Sequence, residues 1–318
     1  MDAFQKEIDE RTNLTASNKF ELLLFRLGNA GGDGAGELFG INVFKIREIV
    51  PMVQITTAAG TKSPMLGMVN IRGQVISVID LPAVTGCKPK TGLNILLITE
   101  YARHTQAFAV ESVEEIVRLD WSQVLSAEAS AGGDLVTSIA RLDSGVDGSR
   151  LVQVLDVEQI LNLTSPVKQA LDNGHTGELK NLVKPGAIVL AADDSKVARA
   201  LIEDGLTTLG VPYIMTKSGK EAWEKLQVLG AEAQREGKQI ADKVALMLTD
   251  LEMPEMDGFT LTRNIKADQR YKGIPVVIHS SLSGSANEDH VRSVGANGYV
   301  AKFAIDELAA TLRKTLMH

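Results

Sequence analysis

Three carboxylates stand at the ends of two apolar runs. Ile188-Val-Leu-Ala-Ala leads into Asp193-Asp194-Ser195, and Leu246-Met-Leu-Thr leads into Asp250-Leu251-Glu252. Apolar runs this short, flanked by helical patterns, read as parallel strands buried on both faces. The residue after each strand then lies at the carboxyl edge of the sheet, where open α/β folds keep their sites. Asp193, Asp194 and Asp250 converge there. Three adjacent carboxylates repel one another unless a cation or protons neutralise them. A few hard oxygen donors with room for water suit Mg2+. Two more strand ends point to the same edge: Ile274–His279 runs into Ser280-Ser281, and Gly298–Ala301 runs into Lys302. A carboxylate can attack a phosphoryl group to form an acyl phosphate. Asp250, at the end of the central strand, is the best-placed acid for that attack. Mg2+ on Asp193, Asp194 and Asp250 would offset charge on the transferring group, and Lys302 would add a fixed cation. Ser280 would donate a hydrogen bond to the phosphoryl group, so its position would report phosphorylation.

The elements that must position these groups alternate in type. Strands are predicted over 187–192, 211–215, 244–249, 274–279 and 298–301. Ala198, Ile202, Leu206 and Leu209 form one helical stripe, Ala222, Leu226 and Leu229 another, and Leu308, Leu312 and Leu316 a last one. Five βα units predict a doubly wound, flavodoxin-like parallel sheet over residues 186–318. Asp257 reads as the cap of the helix after Asp250. The charged stretch from Leu229 to Lys243 predicts two or three added turns of solvated helix.

The first half, residues 15–165, is of another kind. Phe20–Leu27 is a strand, and the glycine-rich Gly28–Gly36 lacks the Lys-Ser/Thr ending of a phosphate loop, so it reads as a hairpin connection. Leu38–Val50 predicts a strand turning into a helical piece that Pro51 stops. Val75-Ile-Ser-Val-Ile-Asp80-Leu81 echoes Leu151-Val-Gln-Val-Leu-Asp156-Val157. Phe39-Gly-Ile41 leading to Glu48-Ile49-Val50 echoes Phe108-Ala-Val110 leading to Glu115-Ile116-Val117. Each copy reads as a strand, a helical piece and a second strand ending in Asp, which predicts a duplicated β unit in a barrel or sandwich. Residues 166–185, with Asn173-Gly-His-Thr-Gly177 and Lys184-Pro185-Gly186, read as a linker.

Composition narrows the classes. The net charge is −7, without the basic excess of a general nucleic-acid binder. The single cysteine, Cys87, allows no internal disulfide and predicts a reducing compartment. The start has no apolar core of a secretory signal, and no apolar run approaches 18 residues. The expectation is a cytoplasmic protein without direct membrane insertion.

The β-rich half resembles the CheW family of chemotaxis coupling proteins over about 150 residues. The shared signatures are the opening strand, Phe39-Gly-Ile-Asn42 with Ile46-Arg-Glu48-Ile, Asn70-Ile-Arg72-Gly73, Val78-Ile-Asp80-Leu81 and Val154-Leu-Asp-Val-Glu-Gln-Ile160-Leu. The Gly28–Gly36 and Ser122–Gly133 stretches are longer than the family's turns. The resemblance implies two intertwined five-stranded barrels that bind a CheA-type histidine kinase and methyl-accepting chemoreceptors. It implies Glu48 and Arg72 as a functional pair, either pinning a corner or presenting a surface, with Ile46 beside them as exposed contact or ordinary core. The second half resembles response-regulator receiver domains, through Asp193-Asp194-Ser195, the Asp250–Gly258 run, Ser280-Ser281 and Gly298-Tyr-Val-Ala-Lys302. The resemblance implies Asp250 as phosphoacceptor, Ser280 and Lys302 as catalytic, and Asp193, Asp194, Asp250 and Glu252 as the Mg2+ site. Tyr299 is implied as the rotating partner of Ser280, beside a signalling fourth helix. Phe303 follows Lys302 where the family has proline. The tandem resembles the CheV scaffolds of chemotaxis. It implies an adaptor at chemoreceptor arrays, modulated by phosphorylation and catalysing only its own phosphotransfer and dephosphorylation. A phosphate sink draining the kinase is the alternative. An aspartate-nucleophile phosphatase, with Glu252 as its acid, would need a cap domain.

Overall fold

The computed structural model describes residues 19–30, 36–57, 59–101, 104–127, 133–143, 149–164, 182–281, 291, 293–302 and 305–317. The chain divides into two compact units, Met1–Pro166 and Val167–His318.

The first unit holds two sheets. Its strands are β1 Phe20–Arg26, β2 Leu38–Asn42, β3 Ile46–Pro51, β4 Met65–Ile71, β5 Gln74–Asp80, β6 Ile95–Tyr101, β7 His104–Val110, β8 Ser112–Leu119, β9 Val124–Ser126, β10 Val136–Arg141 and β11 Leu151–Leu155. One sheet has the order β8-β1-β2-β11-β10-β9 and the other β3-β6-β7-β5-β4. The orders are equivalent position by position. β2 with β11 and β7 with β5 are the parallel pairs, and their neighbours are antiparallel. The repeat predicted from sequence is therefore real, and it is intertwined. β2 and β3 follow one another in the chain but lie in different sheets, as do β7 and β8. One sheet has the five strands expected; the other gains a sixth, the three-residue β9, from the long Ser122–Gly133 stretch.

Each repeat ends alike. Asp80 caps helix α1, Leu81–Thr85, accepting from the Ala83 N–H. Asp156 accepts from the Glu158 and Gln159 N–H groups at the start of α2, Val157–Thr164. Each sheet has its own core, Phe20, Leu22, Leu24 and Val152 in one and Val69, Val78, Leu96 and Ile98 in the other. Leu23, Phe25, Phe39 and Phe108 are buried as well. Residues that alternate along β1 are thus covered on both faces, which explains its unbroken apolar run.

The helical pieces expected to end in Glu48-Ile-Val and Glu115-Ile-Val are not formed. Only Val43–Lys45 makes a single 3-10 turn, capped by Asn42, and Ile46–Pro51 is strand. Ile46, Ile49 and Val50 are β-branched, and Pro51 sits on an edge strand where no donor is needed. Glu115–Val117 lies within β8.

The second unit is the predicted doubly wound sheet. β12 Ile188–Ala192, β13 Tyr213–Thr216, β14 Val244–Thr249, β15 Val276–Ser280 and β16 Gly298–Ala301 are parallel in the order β13-β12-β14-β15-β16. Helices α3 Lys196–Thr208, α4 Gly219–Arg235, α5 Gly258–Ala267 and α6 Ile305–Leu316 connect or close it. Ile202, Leu206, Leu209, Leu308 and Leu312 pack on Val189, Leu246 and Leu248. Leu182 and Val183, expected in the linker, belong to this core. Residues 165–181 lie outside the described residues. α4 extends to Arg235, less than the two or three added turns expected, before Gly237 turns the chain at φ 69°. No helix among the described residues is long and apolar enough to cross a membrane.

Glu111, between β7 and β8, closes the loop entering β6. Its Oε1 accepts from the Lys90 N–H at 2.8 Å, the Thr91 N–H at 2.7 Å and the Thr91 hydroxyl at 3.0 Å. Burial pushes its carboxyl up, but the Thr91 and Lys90 hydrogen bonds outweigh this and hold it below the ordinary value. A carboxyl lowered by folding stabilises above its unfolded value, and the contribution is lost as pH falls through the folded one. Glu111→Gln should therefore cost about 1–2 kcal/mol at pH 7 in urea unfolding. The gap from the parent should narrow below about pH 4.

Candidate functional site

The parallel register sets the site. Ala192 is level with Thr249, so the residues that follow, Asp193 and Asp250, emerge side by side where the sheet order reverses. The Asp250 N–H donates to the Ala192 carbonyl at 2.9 Å. Ser280 is level with Ala301, and the Lys302 N–H donates to the Ser280 carbonyl at 2.9 Å. Asp193, Asp250, Ser280 and Lys302 are all buried, and Asp194 is half-buried.

Lys302 joins two of the acids. Its Nζ lies 2.8 Å from Asp250 Oδ2 and 2.9 Å from Asp193 Oδ2. The other oxygens face backbone donors. Asp193 Oδ1 accepts from the Ser195 N–H at 2.9 Å, and Asp250 Oδ1 from the Leu251 N–H at 2.7 Å. Asp193, Asp194 and Asp250 each bring a carboxylate oxygen within 4.8 Å of the others. Three carboxylates against the one ammonium that bridges two of them make a donor set that fits a small, hard divalent cation. Asp193, Asp194 and Asp250 are the residues that would hold it. The side-chain carboxylate of Glu252, expected as a further ligand, is not among these three converging groups, which leaves its main-chain oxygen as the atom it could offer. Glu252 lies two residues along the turn that leaves the sheet, half-buried.

Packing keeps the turn after Asp250 tight. Asp257 caps α5 as predicted, its carboxylate accepting from the Thr260 N–H at 2.9 Å and the Thr260 hydroxyl at 2.7 Å. The Gly258 N–H returns to the Leu251 carbonyl. A Cβ on Gly258 would lie 2.0 Å from the Asp250 carbonyl oxygen, so only glycine allows this approach. Ser195 caps α3 on the other side, accepting from the Ala198 N–H. Sequence reasoning left aside Arg199, one turn into that helix. Its Nη1 donates to the backbone carbonyls of Asp193 at 2.9 Å and Asp194 at 2.7 Å. The available signal was an Arg four residues after the capping Ser, within reach of the turn. Tyr299 is half-buried on β16, level with Ile278. Phe303 and residues 282–290, including most of the expected signalling helix, lie outside the described residues.

In the first unit, Arg72 Nη2 lies 3.1 Å from Glu48 Oε2, with the carboxylate buried and the arginine side chain 74% exposed. Arg72 and Gly73 form the two-residue turn joining β4 to β5, at φ 52° and 86°. Two positive values in succession mark the hairpin turn whose twist matches its strands. Asn70 Oδ1 accepts from the Gly73 N–H at 2.9 Å and fixes it. Ile46 is core, 4% exposed, so it is not the apolar contact entertained beside the pair. Its place on β3 turns it inward, and the more exposed of the apolar residues near Arg72 in the chain is Val75, 65% exposed. The repeat supplies a counterpart: Arg150 Nη1 lies 4.0 Å from Glu115 Oε1, with Leu151 exposed next to it.

Residues 21–165 match the CheW-like domain family, and residues 189–313 match the response regulator receiver domain family. Chemotaxis protein CheV2 of Helicobacter pylori is 29% identical over 327 residues, spanning 98% of this chain and 99% of its own length. Chemotaxis protein CheV1 of the same organism is 31% identical over 316 residues, spanning 93% and 92%. Among solved structures, the receiver domain of the histidine kinase CKI1 from Arabidopsis thaliana, complexed with Mg2+ and BeF3−, is 26% identical. It covers 43% of this chain and 94% of that one, with a TM-score of 0.38.

Removing the buried ammonium leaves Asp193 and Asp250 facing each other. Lys302→Met should destabilise the second unit by about 3–5 kcal/mol, the usual cost of breaking a buried pair from one side. Mg2+ should then raise the melting temperature of the variant more than that of the parent. Calorimetry with Mg2+ and with EDTA measures both effects.

Proposed function

Because the chain belongs to the CheV family of chemotaxis proteins, we propose that it couples chemoreceptors to a CheA-type histidine kinase and that Mg2+-dependent phosphorylation of Asp250 adjusts the coupling. The observation that carries the proposal is the meeting of Asp250, Asp193, Asp194 and Lys302 at one sheet edge. The protein is a phosphoacceptor scaffold that works in the cytoplasm at receptor arrays.

The chemistry follows from the groups at that edge. An Asp250 carboxylate oxygen attacks the phosphorus of a phosphohistidine. The new O–P bond forms as the N–P bond breaks, and the electron pair returns to the imidazole nitrogen, which takes up a proton. Asp250 becomes an acyl phosphate. Mg2+, when bound, supplies charge neutralisation on the phosphoryl oxygens. Lys302 releases the Asp250 oxygen it holds and pairs with a phosphoryl oxygen. Ser280, at the end of the adjacent strand, turns its hydroxyl to the same group, and Tyr299 follows it. The buried Glu48 carboxylate holds Arg72 at the tip of its hairpin, where the remaining guanidinium donors face outward to a partner. A change of about 1–3 kcal/mol in coupling between the two functions would shift receptor control of the kinase 5- to 150-fold.

Phosphotransfer from a radiolabelled histidine kinase tests the site. The parent should accept label with Mg2+ and not with EDTA, and Asp250→Asn should accept none. Labelling that survives in Asp250→Asn would falsify the assignment. Kinase activity in reconstituted receptor arrays tests the adaptor. It should differ between the parent and Asp250→Asn when no other receiver is present; equal activities would leave only a phosphate sink.

A further inference from the structure

Arg199 carries an inference that rests on the cation site proposed above. Its guanidinium is half-buried in the first turn of α3, and Nη1 spans two consecutive carbonyls, Asp193 O at 2.9 Å and Asp194 O at 2.7 Å. Those carbonyls lie in the turn between β12 and α3, where the strand ladder has ended and the helical bonds have not begun. On the carboxylate side, Asp193 Oδ1 is held by the Ser195 N–H. The acidic turn is thus gripped from two directions, through a side chain and through its main chain.

We propose that Arg199 is a positioning residue of the cation site. By holding both carbonyls it fixes the backbone of Asp193 and Asp194, and so aims their carboxylates at the point they share with Asp250. Its charge alone would do the opposite. A guanidinium this close to the acids repels a divalent cation and competes for the negative potential that attracts it. Orientation and charge therefore predict opposite signs for its removal, and a plain packing role predicts neither.

Mn2+ binding to the full chain, read from the electron paramagnetic resonance of the free ion at neutral pH, separates the three. The parent should bind one Mn2+, and Asp250→Asn should lose it. Arg199→Ala should bind about tenfold more weakly, the scale on which loss of a ligand-orienting group acts. Arg199→Lys, which keeps the charge and can reach one carbonyl, should recover part of the affinity. Calorimetric melting of each variant reports whether it is folded. Tighter binding by Arg199→Ala would show that only charge matters, and unchanged binding with a lower melting temperature would show only a structural brace. Either result overturns the proposal. A parent that binds no Mn2+ would overturn the cation site itself, and the role of Arg199 with it.

Discussion

The second unit depends on one buried ammonium. Lys302 sits between Asp193 and Asp250, within 2.9 Å of both, and is almost fully shielded from water. Two buried carboxylates this close would repel strongly without the ammonium between them. Each partner offsets the burial of the others. The three residues follow β12, β14 and β16, so the interaction joins segments from four adjacent strands of the parallel sheet. The same triad leaves Asp194 half-exposed beside it, and three acids remain set against one bridging cation. That residual charge suits the edge to a divalent ion and then to a phosphoryl group.

The first unit rests on a different constraint, the exchange of strands between equivalent sheets. β3 leaves the sheet of β2, and β8 leaves the sheet of β7, so neither sheet is complete without the other half of the repeat. Leu23, Phe25, Phe39 and Phe108 are buried in addition to the core of each sheet. The exchange places Glu48 opposite the hairpin tip of Arg72 and Glu115 near Arg150. The two pairs differ in kind. Glu48 is buried while its arginine is exposed, whereas Glu115 and Arg150 are both exposed, and exposed pairs contribute little. An arginine held at one end and open at the other is the better candidate for recognition.

Sequence patterns gave out where local propensity and tertiary pairing disagree. Val43, Ile46 and Val50 recur at helical spacing, yet pairing with β6 extends all but the first turn. Ile46 looks the same in sequence whether it faces in or out, and only the side of β3 that meets the core decides. Arg199 gave only one faint signal, its spacing from the capping Ser195, because its partners are carbonyls, which every residue has.

The sequence by itself determined the class of each half, the internal repeat, the five strands of the second unit and the set of charged groups at their ends. Those features are periodic or terminal, so apolar spacing and the residue after each strand encode them locally. Tertiary structure alone decided the exchange of strands between sheets, the inward turn of Ile46 and the grip of Arg199. Each depends on register between segments far apart in the chain, and register is set by which faces can be buried together.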